Sequence, residues 1–351
     1  MSRFFSDKFS DLEAYTPGEQ PQNRQYIKLN TNESPFGPVK KAVEGAAREA
    51  QRLHLYCDPE CEELHRKLAE HYGVGRYQVL ASNGSDEILN FAFMAFCDEK
   101  SPAVFPDITY GFYQVFAQVD HVPYRQIPLR EDLSIDVTDY MNNDSTVFLA
   151  NPNANTGIAL TLVEIEQILQ ANPDHVVVID EAYVDFGAES AVALVDKYEN
   201  LLVTQTFSKA WSMAGARLGV GIGSEALMAD LNTIKYSTNP YNINRMTQAA
   251  GVGALESIDE IRANCAAVCE NRSWTMAALK ELGFEMTDSA ANFIFVRHPG
   301  IGGGELYRRL KEEGILVRHF DTERVCDYIR ITIGSCSQME ALVDAAARIL
   351  Q

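Results

Sequence analysis

Nothing in this sequence reads as a membrane span, because no run approaches the roughly eighteen apolar residues that a crossing helix needs. Met1 to Gly18 carries scattered charge and no apolar stretch, so it does not read as a secretory signal. Basic residues are scarce: thirty Lys and Arg stand against forty-nine Asp and Glu, a net charge of −19. Nucleic acid and anionic membranes both require a basic face, so neither is expected as a partner. Cysteines are few, and seven is an odd number. Cys57 and Cys61, like Cys265 and Cys269, are spaced i, i+4, but neither pair has the second Cys or His pair of a zinc site nearby. Reduced thiols in a cytoplasmic protein, with no metal, are the expectation. HExxH is missing, as are GxGxxG and GxxxxGK[ST] after a strand, an internal repeat, a linker and any low-complexity tract.

What is present is ordinary globular composition, 46% hydrophobic and 23% charged, in 351 residues. That length suggests one large domain and a smaller one. Helical periodicity covers 39–53 and 61–72, the second stopped by Gly73. Within 79–89 a short strand runs through a glycine turn into a helix. Strands follow at 103–105 and 146–150, then a helix at 161–171 and a continuous apolar strand at 176–179. Alternating strands and helices predict an α/β fold with a mainly parallel sheet, whose ligands bind at the carboxyl ends of strands. The pattern changes after Leu227. Helix is predicted over 243–282, strands at 292–297, 315–318 and 328–333, and helices at 305–313 and 339–350, which suits a separate α+β lobe.

One stretch concentrates the chemistry. After the 201–205 strand come Thr206, Ser208 and Lys209, and eight residues after the lysine comes Arg217. The hydroxyls and the forked guanidinium suit an anion, and a lysine in a partly dry pocket loses its proton easily and becomes a nucleophile. An amine beside a phosphate anchor points to pyridoxal 5'-phosphate. Such a site needs a carboxylate to keep the pyridine nitrogen protonated, and Asp180, at the end of a strand, is placed for it. Tyr183 or an asparagine of the 151–157 loop could bond the phenolic oxygen. Gly84, Ser85 and Asp86 open a helix whose amides suit a phosphate, and Tyr110 could cover the ring. Lys209 would bind the cofactor and move a proton as general base.

These motifs, with 29–38, Pro240-Tyr241-Asn242-Ile243-Asn244 and 328–334, resemble the fold-type-I pyridoxal-phosphate aminotransferases, and within them the histidinol-phosphate aminotransferase group, over nearly the whole chain. The resemblance implies a large cofactor domain (39–242), a smaller α+β domain (243–351) and an N-terminal arm (1–38) that joins the smaller one. It makes Lys209 the Schiff-base lysine, Asp180 the pyridine partner and Tyr183 the phenolic-oxygen donor. Tyr110 would stack, and Ser85, Asp86, Thr206, Ser208 and Arg217 would hold the phosphate. Tyr56 would reach a neighbouring subunit's cofactor in a homodimer with shared sites, and Arg330, Arg318 and Asn32 would bind substrate. The reaction implied moves an amino group between L-histidinol phosphate, the amino donor, and 2-oxoglutarate, the 2-oxo acid. Aromatic aminotransferases and threonine-phosphate decarboxylases resemble the group and reuse its site; a non-enzymatic regulator is disfavoured by the charge. Two departures stand out. The group's usual Asn-Asn-Pro-Thr-Gly is Asn153-Ala154-Asn155-Thr156-Gly157 here, which leaves Asn153 or Asn155 as the ring contact. Cys57 stands where a proline is common.

Overall fold

The computed structural model describes residues 2–9, 12, 18–21 and 24–351. The remaining residues of the expected N-terminal arm lie outside the described ones; a single 3-10 turn, Asp7–Phe9, is described within it. The chain then runs β1 (Ile27–Lys28), α1 (Lys40–Ala50), α2 (Glu62–Tyr72), β2 (Val79–Ser82), α3 (Ser85–Phe96), β3 (Ala103–Pro106), α4 (Phe112–Val119), β4 (Tyr124–Ile127), β5 (Thr146–Ala150), α5 (Leu162–Ala171), β6 (Val177–Asp180), β7 (Leu201–Thr206) and β8 (Gly219–Gly223). There follow α6 (Glu225–Thr238), α7 (Arg245–Leu255), α8 (Ile258–Glu281), β9 (Glu285–Met286), β10 (Phe293–Arg297), α9 (Gly303–Glu312), β11 (Ile315–Leu316), β12 (Arg318–His319), β13 (Ile329–Thr332) and α10 (Cys336–Leu350).

Seven strands form one sheet in the order β2-β8-β7-β6-β5-β3-β4. All of its pairings are parallel except those of β8, which runs antiparallel to both β2 and β7. Every residue of β5, β6 and β7 is buried, as expected for strands covered on both faces, whereas the edge strand β4 is mostly exposed. The expected mainly parallel sheet is therefore present.

Strand β8 was not among the expected elements, because Gly219-Val220-Gly221-Ile222-Gly223 is poor in strand formers. Its glycines answer to packing instead. A Cβ on Gly219 would overlap the backbone of Gly84 and Ser85, so only glycine lets the start of α3 rest on the sheet. Helices α4 and α6 and strands β4 and β9 were also not foreseen.

The helix expected over 243–282 is two. Helix α7 starts at Asn244, whose side chain accepts from the Thr247 amide, and it stops at Glu256. It lies against α1, backbone close to backbone: a Cβ on Gly45 would sit 2.5 Å from the Ala249 carbonyl oxygen, and one on Gly253 would overlap Lys41. The strand expected at 315–318 also divides. Ile315–Leu316 pairs in parallel with Ile27–Lys28, while Arg318–His319 joins an antiparallel sheet of order β12-β13-β10-β9. Elsewhere local signals hold: Thr161 and Glu164 form a capping box that opens α5, and Gly73, at φ 69°, closes α2. Among the described residues no helix is long and apolar enough to cross a membrane.

Candidate active site

The carboxyl ends of β5, β6 and β7 and the start of α3 converge on one cavity of about 130 Å³. Ser85, Asp86, Tyr110, Asp180, Tyr183, Thr206, Ser208, Lys209 and Arg217 line it, so most of the sequence-predicted residues meet there; Ala154 and Ala182 complete the wall.

Lys209 reaches into the cavity and donates to the Thr31 carbonyl oxygen at 3.0 Å. Burial, with the Arg330 charge as the next cause, pulls its amine down to about 8. The lysine thus gives up its proton far more readily than an ordinary amine, which is what a nucleophilic amine requires. Asp180 ends β6 and is only 4% exposed. Its Oδ2 accepts from the Tyr113 hydroxyl at 2.9 Å. Burial pushes this carboxyl up to about 7, against the pull of the Tyr113 hydrogen bond. Its Oδ1 has no hydrogen-bond partner among the described residues, and a buried carboxylate oxygen of that kind is a place for an incoming N–H.

Helix α3 opens at Gly84, whose φ of 79° suits glycine, and no side chain caps it. Its first amides therefore offer donors to an anion. Asp86 contributes there only through its amide, since an ionised carboxylate accepts and cannot donate. Its side chain instead accepts from Tyr110 (2.7 Å) and Arg217 (2.9 Å), and so sets both of them at the cavity. Thr206 and Ser208, which also line the cavity, hydrogen-bond each other at 3.0 Å.

Other expected residues lie elsewhere. Asn153 is buried and tied to the chain around it: Nδ2 donates to the Ile108 carbonyl oxygen, and Oδ1 accepts from the amides of Asn155 and Thr156. It shapes the loop, and neither it nor Asn155 lines the cavity; Ala154 does. Asn32 is also buried, and its Nδ2 donates to the Tyr183 hydroxyl at 3.0 Å while its Oδ1 accepts from Thr332. The structure thus puts Asn32 on Tyr183, directly behind the cavity lining. Arg330 donates to the Ala154 carbonyl oxygen at 2.7 Å, and its guanidinium lies against the rings of Phe293 and Phe320. Arg318 also lies over the Phe320 ring, 5.5 Å from its centroid, and lines an opening with Tyr307 and His319. Tyr56 is 80% exposed and stacks on Tyr241, with ring centroids 4.7 Å apart. Tyr113 and Thr31 were missed. Tyr113 reads as one more apolar position of a helix, and Thr31 acts through a backbone carbonyl that no sequence pattern marks.

A family model for aminotransferase class I and II matches residues 24–348. The chain belongs to the aminotransferase class I and II family. It is 46% identical to a histidinol-phosphate aminotransferase of Brachyspira hyodysenteriae, with all of both chains covered. It is 47% identical to a histidinol-phosphate aminotransferase of Marinomonas sp., over 98% of this chain and 99% of the relative. Its fold matches the crystal structure of histidinol-phosphate aminotransferase from Sinorhizobium meliloti in complex with pyridoxal-5'-phosphate, with a TM-score of 0.88 at 21% identity, covering 100% of this chain and 98% of that one. As an aminotransferase, the chain uses pyridoxal phosphate, and its residues fit that group. The unpartnered Asp180 Oδ1 matches a protonated ring nitrogen, and the uncapped start of α3 beside Arg217 matches a phosphate.

Proposed function

We propose that this chain moves an amino group between L-histidinol phosphate and 2-oxoglutarate in a ping-pong cycle. The observation that carries this is the cavity itself, which is lined by a part-buried lysine of lowered basicity, a buried carboxyl with one unpartnered oxygen and an uncapped helix start. Full-length identity of 46–47% to relatives named for that activity supports the substrate.

Pyridoxal phosphate supplies, when bound, the carbonyl that takes up the amino group and the ring that takes up an electron pair. The residues divide the remaining tasks. Lys209 would hold the cofactor at its carbonyl carbon, and its Nζ would carry a proton as general base. Asp180, ionised, would hold the proton on the ring nitrogen, and the Tyr183 hydroxyl, oriented by Asn32, would serve the phenolic oxygen. Tyr110 would cover the ring. The amides of Ser85 and Asp86, the hydroxyls of Thr206 and Ser208, and Arg217 hold the phosphate, with Gly84 giving them room. Asn153 and Asn155 act by shaping the loop that carries Ala154. Arg330, with Arg318, takes the substrate's anionic group, which a chain of net charge −19 captures only through local cations.

In this reading the protein is a cytoplasmic homodimer, and the exposed Tyr56 reaches the partner's site. The N-terminal arm joins the smaller domain through β1 and β11. The packing of α7 on α1 and α2 favours a boundary between the domains near residue 256 rather than 243.

The test is a panel of amino donors with 2-oxoglutarate, followed by glutamate formation. L-Histidinol phosphate should turn over fastest. An aromatic amino acid turned over faster, or carbon dioxide released from threonine phosphate, would overturn the substrate.

A further inference from the structure

The two oxygens of Asp180 have different surroundings. Oδ2 accepts a hydrogen bond from Tyr113 at 2.9 Å, and Oδ1 has no partner among the described residues. A carboxyl group turns about its Cβ–Cγ bond with little resistance, since that torsion is broad. Held at one oxygen, it presents the other in a defined direction. The holder must then be rigid, and Tyr113 is. Its side chain is fully buried. Its ring meets Tyr110 edge-on at 5.7 Å and 88°, and lies 5.7 Å from Phe105 and 5.9 Å from Phe148. Burial raises its phenol well above the usual range, so the group stays a donor at every relevant pH.

A satisfied core tyrosine would look similar from the ring outward. The difference lies in what its hydroxyl meets, a carboxyl that lines the cavity and whose other oxygen has no partner among the described residues. The same tyrosine also touches Tyr110, so it braces both the group beneath the cofactor's nitrogen and the ring expected on its face.

We propose that Tyr113 is a positioning residue, whose hydroxyl fixes Asp180 Oδ2 so that Oδ1 meets the ring nitrogen of the cofactor. This rests on the role given to Asp180 above.

The test measures the dissociation constant of pyridoxal phosphate on the cofactor-free protein for wild type, Tyr113→Phe, Asp180→Ala and the double variant, with melting curves of each cofactor-free form as a check on folding. Tyr113→Phe keeps the ring and removes the hydroxyl alone. A hydrogen bond to a charged group is worth about tenfold to a hundred-and-fiftyfold in affinity, so Tyr113→Phe should weaken binding by about tenfold or more. In the Asp180→Ala background it should change binding by less than about twofold, since nothing remains for the hydroxyl to hold. The kcat of Tyr113→Phe should fall while KM for both substrates holds. Equal losses in both backgrounds mean that Tyr113 acts through packing, and they overturn the proposal. Wild-type affinity in Tyr113→Phe, with weakened binding in Asp180→Ala, overturns it alone. Unchanged affinity in Asp180→Ala overturns the role of Asp180 as well.

Discussion

Asp180→Asn should stabilise the cofactor-free protein and weaken the loaded one. The substitution keeps the shape and an oxygen that can accept from Tyr113, and it removes the charge. In the cofactor-free protein the carboxyl is buried and its pKa stands at about 7, against an ordinary 3.8. The folded state therefore binds more protons than the unfolded state between those values, and stability from this group falls as pH rises through the window. Above pH 7 the buried charge costs on the order of 4 kcal/mol. Asparagine carries no such cost. The variant's advantage should be nearly absent at pH 4 and complete at pH 8. Thermal or denaturant melting of both proteins without cofactor, across that range, measures it. With cofactor bound the order reverses, because the charge now holds the proton of the ring nitrogen. Affinity should drop, and turnover should fall by at least about a hundredfold, as for the loss of a central electrostatic contact. Near-normal turnover, or a stability difference independent of pH, would refute the reasoning.

Lys209 titrates near 8 in the cofactor-free protein, so stopped-flow capture of pyridoxal phosphate should speed up about tenfold per pH unit below that value and level off above it. Borohydride should then fix the cofactor to the peptide containing Lys209; a rate that is flat from pH 6 to 8 would count against the lysine. A Cβ on Gly84 would sit 2.6 Å from the Arg217 guanidinium, in a backbone conformation with φ of 79°. Gly84→Ala should accordingly weaken pyridoxal phosphate by about tenfold or more while leaving pyridoxal, which lacks the phosphate, unaffected; calorimetry of both ligands distinguishes the cases. Arg330→Lys loses a planar fork that already spends one nitrogen on Ala154. Both half-reactions should weaken by roughly tenfold to a hundred-and-fiftyfold with the cofactor spectrum intact, and retained affinity for histidinol phosphate and glutamate alike would remove Arg330 from the substrate site.

The sequence by itself determined the features whose causes are local. The apolar run of β6 ends at Asp180, and the hydroxyl-rich turn after β7 carries Lys209, so both fall at the carboxyl edge of a sheet. Caps such as Thr161 with Glu164 act within one turn of chain, and they are equally legible. The glycines of β8 were present but ambiguous. They oppose strand formation locally, and their reason, the approach of α3, lies more than a hundred residues away. Only the tertiary structure decided which polar groups meet. Tyr113 finds Asp180 across 67 residues, Asn32 finds Tyr183 across 151, and Arg330 finds Ala154 across 176. Periodicity says which face of a helix is buried, but not which oxygen a buried hydroxyl will reach. That depends on how far α4 is rotated over the sheet and on how the antiparallel sheet is set against the loop after β5. Both are fixed by packing over the whole core, where a shift of an ångström exchanges one hydrogen-bond partner for another.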